Sequence, residues 1–235
     1  KGSSIFSLLL VLSAINWIGI NGNTFAGMIA TNFPKWPIPV SITGVLVIFT
    51  WAQSAIRGYK GLEVVSSFGV PAAIILSVAC FIGVGLKSGG FSSAFSYVPT
   101  EPMTFTAASA SVVGSWVFGC IITPDICRYA KSKGTVIRSG ISAFFVGLFC
   151  LQFIGVLVAT ATKNGDFSQA TAALGLGILV FICTIFCLWT TQDNNIYGAS
   201  LAMQNLLNET RFKGKVKHSH IAWGVATCSA IFAFI

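Results

Sequence analysis

Charged side chains are scarce in this sequence: Asp, Glu, Lys and Arg make up only 9% of it, where a soluble domain carries roughly a quarter. That leaves too little charge to solvate a globular surface. With 54% hydrophobic residues and a mean hydropathy of +0.83, the chain reads as membrane-embedded. Histidine is nearly missing, with only His218 and His220, both in a basic loop and most simply solvated. The seven cysteines (Cys80, Cys120, Cys127, Cys150, Cys183, Cys187 and Cys228) lie in apolar segments and form no CxxC pair, so they read as small buried hydrophobes rather than metal ligands. Hydrolase elements of the HExxH or GxSxG type are absent, as is a secretory signal pattern. The alternation over about ten residues that marks a membrane β-strand is missing too, which excludes an outer-membrane barrel.

Long apolar runs are abundant. Seven are long enough to cross a bilayer core of about 30 Å as helix, near residues 5–30, 37–57, 62–86, 104–130, 135–160, 171–207 and 219–235. The expected fold class is therefore an all-α integral membrane bundle forming one transporter-like domain over residues 1–235. Consecutive spans alternate sides, so the basic residues can be sorted by loop. Lys1, Arg57, Lys60, Arg128, Lys131, Lys133, Arg138, Arg211, Lys213, Lys215 and Lys217 fall on one side, and only Lys35, Lys87 and Lys163 on the other. Eleven against three marks the first side as cytoplasmic and the chain as entering from there. The net charge of +8 thus speaks for topology in a cell membrane and not for nucleic acid. The sequence has no initiator methionine, begins beside one span and ends inside another, and we expect it to be an internal piece of a longer transporter.

Polar groups at membrane depth are costly and point to function by default. The first run reads SAINWIGINGNTFAG, in which Trp17 and Asn21 stand one helical turn apart on a shared face. An indole plane beside an amide suits a flat heteroaromatic ring, offering a stacking surface and an edge reader. An interfacial tryptophan with asparagines joining helices is the alternative. In the fourth run, Ser111, Gly114, Ser115 and Gly119 surround Trp116 above Pro124. This predicts a helix broken near 114–119, as transporters use for binding, with close helix packing and a proline kink as the alternative. Asp125 and Arg128, at i and i+3, are placed to form a structural or gating ion pair.

The sixth run would be about 55 Å long as one helix and must tilt, extend past the membrane or break. It holds WTTQDNN from Trp189 to Asn195. Thr190 and Asn194 share a face, with Gly198 a turn further. Threonine hydroxyls suit a small cation, while amides suit a polar substrate edge. A polar helix end entering the cytoplasm is the bland alternative.

Together, WTTQDNN followed by YGASL, VVGSW followed by PDICRYAKSK, and NWIGIN resemble the nucleobase-cation symporter family, also called the purine-cytosine permease family, over essentially the whole chain in matching order. The resemblance implies a leucine-transporter-type bundle of inverted repeats, of which these segments are the third to the ninth helices. It also implies import of cytosine or a related nucleobase by sodium or proton symport through alternating access, with no cofactor. Trp17 and Trp116 would sandwich the ring, Asn21 would tune which edge is read, Gln192, Asp193, Asn194 and Asn195 would supply amide and carboxylate contacts to it, chiefly Asn194 and Asn195, and Ser115 would offer backbone contacts. Thr190 and Thr191, with the backbone carbonyl of Cys187, would hold the cation, for which sodium is a candidate. An amino acid or vitamin carrier of the same architecture is the alternative within transport. An intramembrane enzyme using Asp125 or Asp193, or a sensor built on the same fold, stands further off.

Overall fold

The computed structural model describes residues 2–87 and 89–234; Lys1, counted above among the cytoplasmic charges, and Ile235, at the end of the seventh run, lie outside them. The described residues are helical throughout, without strands, as the absence of period-two patterning predicts. Ten α-helices follow in order: α1 (Gly2–Asn32), α2 (Val40–Ala55), α3 (Tyr59–Leu86), α4 (Gly90–Phe95), α5 (Phe105–Cys127), α6 (Lys133–Gly140), α7 (Phe149–Thr162), α8 (Phe167–Ala173), α9 (Gly177–Asn208) and α10 (His218–Phe234). A π-helical stretch, Ile141–Leu148, joins α6 to α7 without interruption. Several helices start where the sequence supplies a cap. Thr104, Ser132 and Asp166 accept hydrogen bonds from the backbone N–H groups of Ala107, Thr135 and Gln169.

Among the described residues, five helical stretches are long and apolar enough to cross a membrane: Gly2–Asn32, Tyr59–Leu86, Phe105–Cys127, Lys133–Thr162 and Gly177–Asn208. The second and seventh runs become shorter helices, α2 with 16 residues and α10 with 17. Two expectations are corrected. The fourth run carries no break near 114–119, because α5 continues from Phe105 to Cys127. Ser111 and Ser115 donate their hydroxyls back to the carbonyls of Ala107 and Val112, and Pro124, in the last turn, removes one backbone donor without ending the helix. The sixth run is broken instead between α8 and α9. Gly175 turns the chain there with φ 75°, a conformation glycine adopts at no steric cost.

The chain divides into two compact units, residues 1–71 with 185–235, and residues 72–184. In the first, α1, α2 and α10 pack on one another. Lipid supplies no hydrophobic drive between helices, so close approach through small residues is what holds them. A Cβ on Gly19 would stand 3.5 Å from the Ser229 carbonyl oxygen, and one on Gly22 would meet the Ile48 side chain at 2.6 Å. Asn23 spans the same contact, donating to the Ala233 carbonyl at 2.8 Å. Helix ends meet as well: Ser4 bonds Glu209, and His218 lies 3.3 Å from the Ala55 carbonyl. In the second unit, α7 packs against α4 and α8. Much of α5 is exposed, with only Phe118 and Ile122 buried.

Gly61, just after the α2–α3 turn, presses on the backbone of Ser54, and a Cβ there would overlap the Ser54 carbonyl oxygen. Gly61→Ala is expected to destabilise the protein by about 2 kcal/mol or more. Gly27→Ala adds its methyl to open space and is expected to be neutral within about 1 kcal/mol. Thermal unfolding of the two variants in detergent, compared with wild type, checks both.

Candidate functional site

The polar run of α9 turns two different faces to its surroundings. Gln192, Asp193 and Asn195 are buried, Asn194 is half-buried and Thr191 is exposed. On the buried face, Gln192 donates from Nε2 to the Ile18 carbonyl of α1 at 3.1 Å, while its Oε1 accepts from Asn21 Nδ2 at 3.5 Å. Asp193 Oδ1 accepts the hydroxyl of Ser54 in α2 at 2.7 Å. Ser54 in turn accepts the indole N–H of Trp189 at 2.7 Å, and the same N–H lies 3.2 Å from the Trp51 carbonyl. An aromatic column backs this network. Phe25 and Trp51 have ring centroids 5.0 Å apart, and Trp51 stacks on Trp189 at 6.4 Å with planes 15° apart.

These contacts correct one inference from the resemblance. Gln192 and Asp193 are fully buried and engage α1 and α2, so they tie helices together and offer no edge to a substrate. Asn21 belongs partly to the same tie. Asn194 and Asn195 have no side-chain hydrogen bond among the described residues, which leaves both amides able to serve a ligand.

Thr190 and Thr191 point in different directions, as residues 100° apart on a helix must. Thr190 donates to the Phe186 carbonyl at 2.9 Å and faces Gly69 of α3, where a Cβ would collide with its hydroxyl. Thr191 donates to the Cys187 carbonyl at 3.0 Å and is exposed. The Thr191 hydroxyl thus back-bonds along its own helix on an exposed face, keeping acceptor capacity of its own. The Cys187 thiol itself turns towards the Gly69 carbonyl, 4.0 Å away.

The aromatic pair of the sequence reading falls in two units. Trp17 is half-buried on α1 in the first unit, one turn before Asn21; Trp116, on α5 in the second unit, is 40% exposed. Ser115 beside it is also exposed. Arg128 lies over the ring of Tyr129 at 5.0 Å and donates to its hydroxyl at 3.1 Å, and Asp125 is half-buried a turn earlier.

Sequence reasoning missed Ser54, Trp189 and Gly69. Trp189 carried a signal, since it precedes Asp193 by four residues and so shares its face. Ser54 and Gly69 carried none, because each owes its place to a helix far away in the chain. Ser54→Ala takes from the buried Asp193 Oδ1 its hydroxyl donor and leaves the Trp189 indole only the Trp51 carbonyl, and is expected to cost about 2 kcal/mol. Thr50→Ala, on the exposed stripe of the same helix, is expected to stay within about 0.5 kcal/mol. Melting temperatures in detergent, followed by tryptophan fluorescence, distinguish the two.

Comparison with known proteins supplies the family. Cytosine permease of Escherichia coli strain K12 is 29% identical over 213 residues, which cover 88% of this chain and 48% of that protein. The cytosine permease of Escherichia coli O157:H7 matches to the same extent. The chain thus spans about half the length of the curated relatives it matches. A family described as permease for cytosine/purines, uracil, thiamine, allantoin matches residues 1–233. This chain is therefore part of a multi-pass membrane protein and belongs to that family of permeases, not to a family of enzymes.

Proposed function

We propose that the protein is a secondary active transporter that imports cytosine or a related planar nucleobase together with a sodium ion or proton, by alternating access in a leucine-transporter-type bundle of inverted repeats. The observation that carries this reading is the open face of α9. There the Thr191 hydroxyl is exposed, and it and the Cys187 carbonyl become cation ligands once the hydroxyl turns from the 3.0 Å bond it donates along the helix. Thr190, one residue away, is the third ligand of the reading once its hydroxyl turns from the Phe186 carbonyl. Membership in a permease family whose curated relatives are named for cytosine supports the substrate class.

Trp17 offers the nucleobase a stacking surface and Asn21, Asn194 and Asn195 read its edge, all within the first unit, while the resemblance gives Trp116 a stacking role and Ser115 a backbone contact. Both indoles retain accessible surface, and neither Asn194 nor Asn195 is committed to another side chain. The buried face of α9 is fixed to α1 and α2 through Gln192 and Asp193. Preorganisation of that kind lets cation and substrate meet a helix whose ordering cost was met on folding. Asp125 and Arg128 form an ion pair near the cytoplasmic end of α5 that closes the path from that side. No bond of the substrate is made or broken.

The test is uptake of radiolabelled cytosine by the full-length protein in liposomes, with and without a sodium gradient and across a set of competing heterocycles and amino acids. Trp116→Ala is expected to weaken apparent cytosine affinity roughly tenfold, the worth of one lost stacking surface. Thr191→Ala is expected to raise the cation concentration needed for half-maximal uptake several-fold while leaving folded yield unchanged. Since coupling between two ligands is reciprocal, saturating cytosine should lower the wild-type cation requirement by the factor by which the cation tightens cytosine. Uptake of an amino acid with no competition from any planar heterocycle would overturn the substrate class and leave the architecture standing.

A further inference from the structure

The cytoplasmic ends of α2 and α3 enclose a cavity of about 670 Å³ that the transport reading leaves unused. Its shape follows from helical register. Thr50, Gln53 and Arg57 descend the exposed stripe of α2, and Lys60, Val64 and Phe68 climb the facing stripe of α3 at four-residue steps. Gly58, at φ 69°, reverses the chain between the two cations. Phe186 and Trp189 of α9 form the floor, so the whole cavity belongs to the first compact unit.

Charge and apolarity are separated along it. Arg57 and Lys60 stand together at the loop end, no carboxylate lines the cavity, and neither cation has an ion-pair or hydrogen-bond partner among the described residues. At membrane depth the lining turns apolar: Val64 and Phe68 are 56% and 59% exposed, and Phe186 lies below them. Two solvated cations on a loop need no explanation by themselves. Here they cap an apolar groove on the side of the membrane to which the basic residues assign them. An occupant complementary to that gradient is negative at the cytoplasmic surface and hydrocarbon within the bilayer.

We propose that this groove is a binding site for an anionic phospholipid. Arg57 and Lys60 take the phosphate, Gln53 and Thr50 lie beside the glycerol esters, and the first part of one acyl chain runs along Val64, Phe68 and Phe186. Basic pockets between membrane helices on the cytoplasmic side recognise headgroups in this way, with the long cationic side chains reaching up to the interface. The site stands apart from the nucleobase reading and does not rest on it.

Native mass spectrometry of the intact protein with equimolar phosphatidylglycerol and phosphatidylcholine tests the proposal. Wild type is expected to retain phosphatidylglycerol preferentially, and R57Q/K60Q to lose about tenfold of that preference. Val64→Trp, which fills the groove without touching the cations, is expected to reduce retention of both lipids; this keeps the test decisive should the double variant fold poorly. An absent preference in wild type, an unchanged lipid ratio in R57Q/K60Q, or undiminished retention in Val64→Trp overturns the assignment.

Discussion

The hydrogen bond from Ser54 to Asp193 is the contact on which the first compact unit depends most. A carboxyl group buried among apolar helices is costly unless its oxygens find donors; one hydroxyl from α2 serves Oδ1 here, while Oδ2 is buried without a hydrogen-bond partner among the described residues. The same hydroxyl accepts the Trp189 indole, so a single small side chain anchors two residues of α9 at once. Gln192 performs the matching task towards α1. With its inner face so occupied, α9 has one orientation available, and that orientation leaves Thr191 and Asn194 facing away from the packed side. The polar run in the middle of an apolar helix therefore divides between a face that holds the fold and one left out of its packing.

Glycine complements this polar network. Gly19 and Gly22 allow α1 to approach α10 and α2 closely, and Gly69 leaves room on α3 for the Thr190 hydroxyl. Where lipid is as apolar as leucine, backbone proximity and satisfied polar groups are the terms that bring helices together. Exposed Leu8, Leu9, Leu12 and Ile5 on the remaining face of α1 are then the ordinary lipid-facing complement of a packed polar side, and no sign of a defective core.

The helices themselves were legible in the sequence, because runs of twenty apolar residues have few other readings, and the ends of several were marked by Thr104, Ser132 and Asp166. Legibility stopped where the outcome depended on a partner distant in the chain. Periodicity says that Thr190 and Asn194 share a face but cannot say that Gly69 covers Thr190, nor that Ser54, 139 residues from Asp193, takes its carboxylate. Small residues around Trp116 permit a break without requiring one, and α5 passes through them intact, whereas one left-handed glycine at 175 divides the sixth run. The π-helical stretch at Ile141–Leu148 lies inside an apolar run whose periodicity does not distinguish it from α-helix.

The length of α9 has a mechanical consequence. From Thr191 to Asn208 the helix is unbroken, a rod of about 26 Å that leads from membrane depth to the cytoplasmic end, where Glu209 meets Ser4 of α1. A rod of that length is a lever: a tilt of one degree about Thr191 displaces its far end by about half an ångström. Movement too small to register at the ligand oxygens is therefore magnified at the basic loop that follows, and the Ser4–Glu209 contact is the joint that either restrains that swing or transmits it to α1.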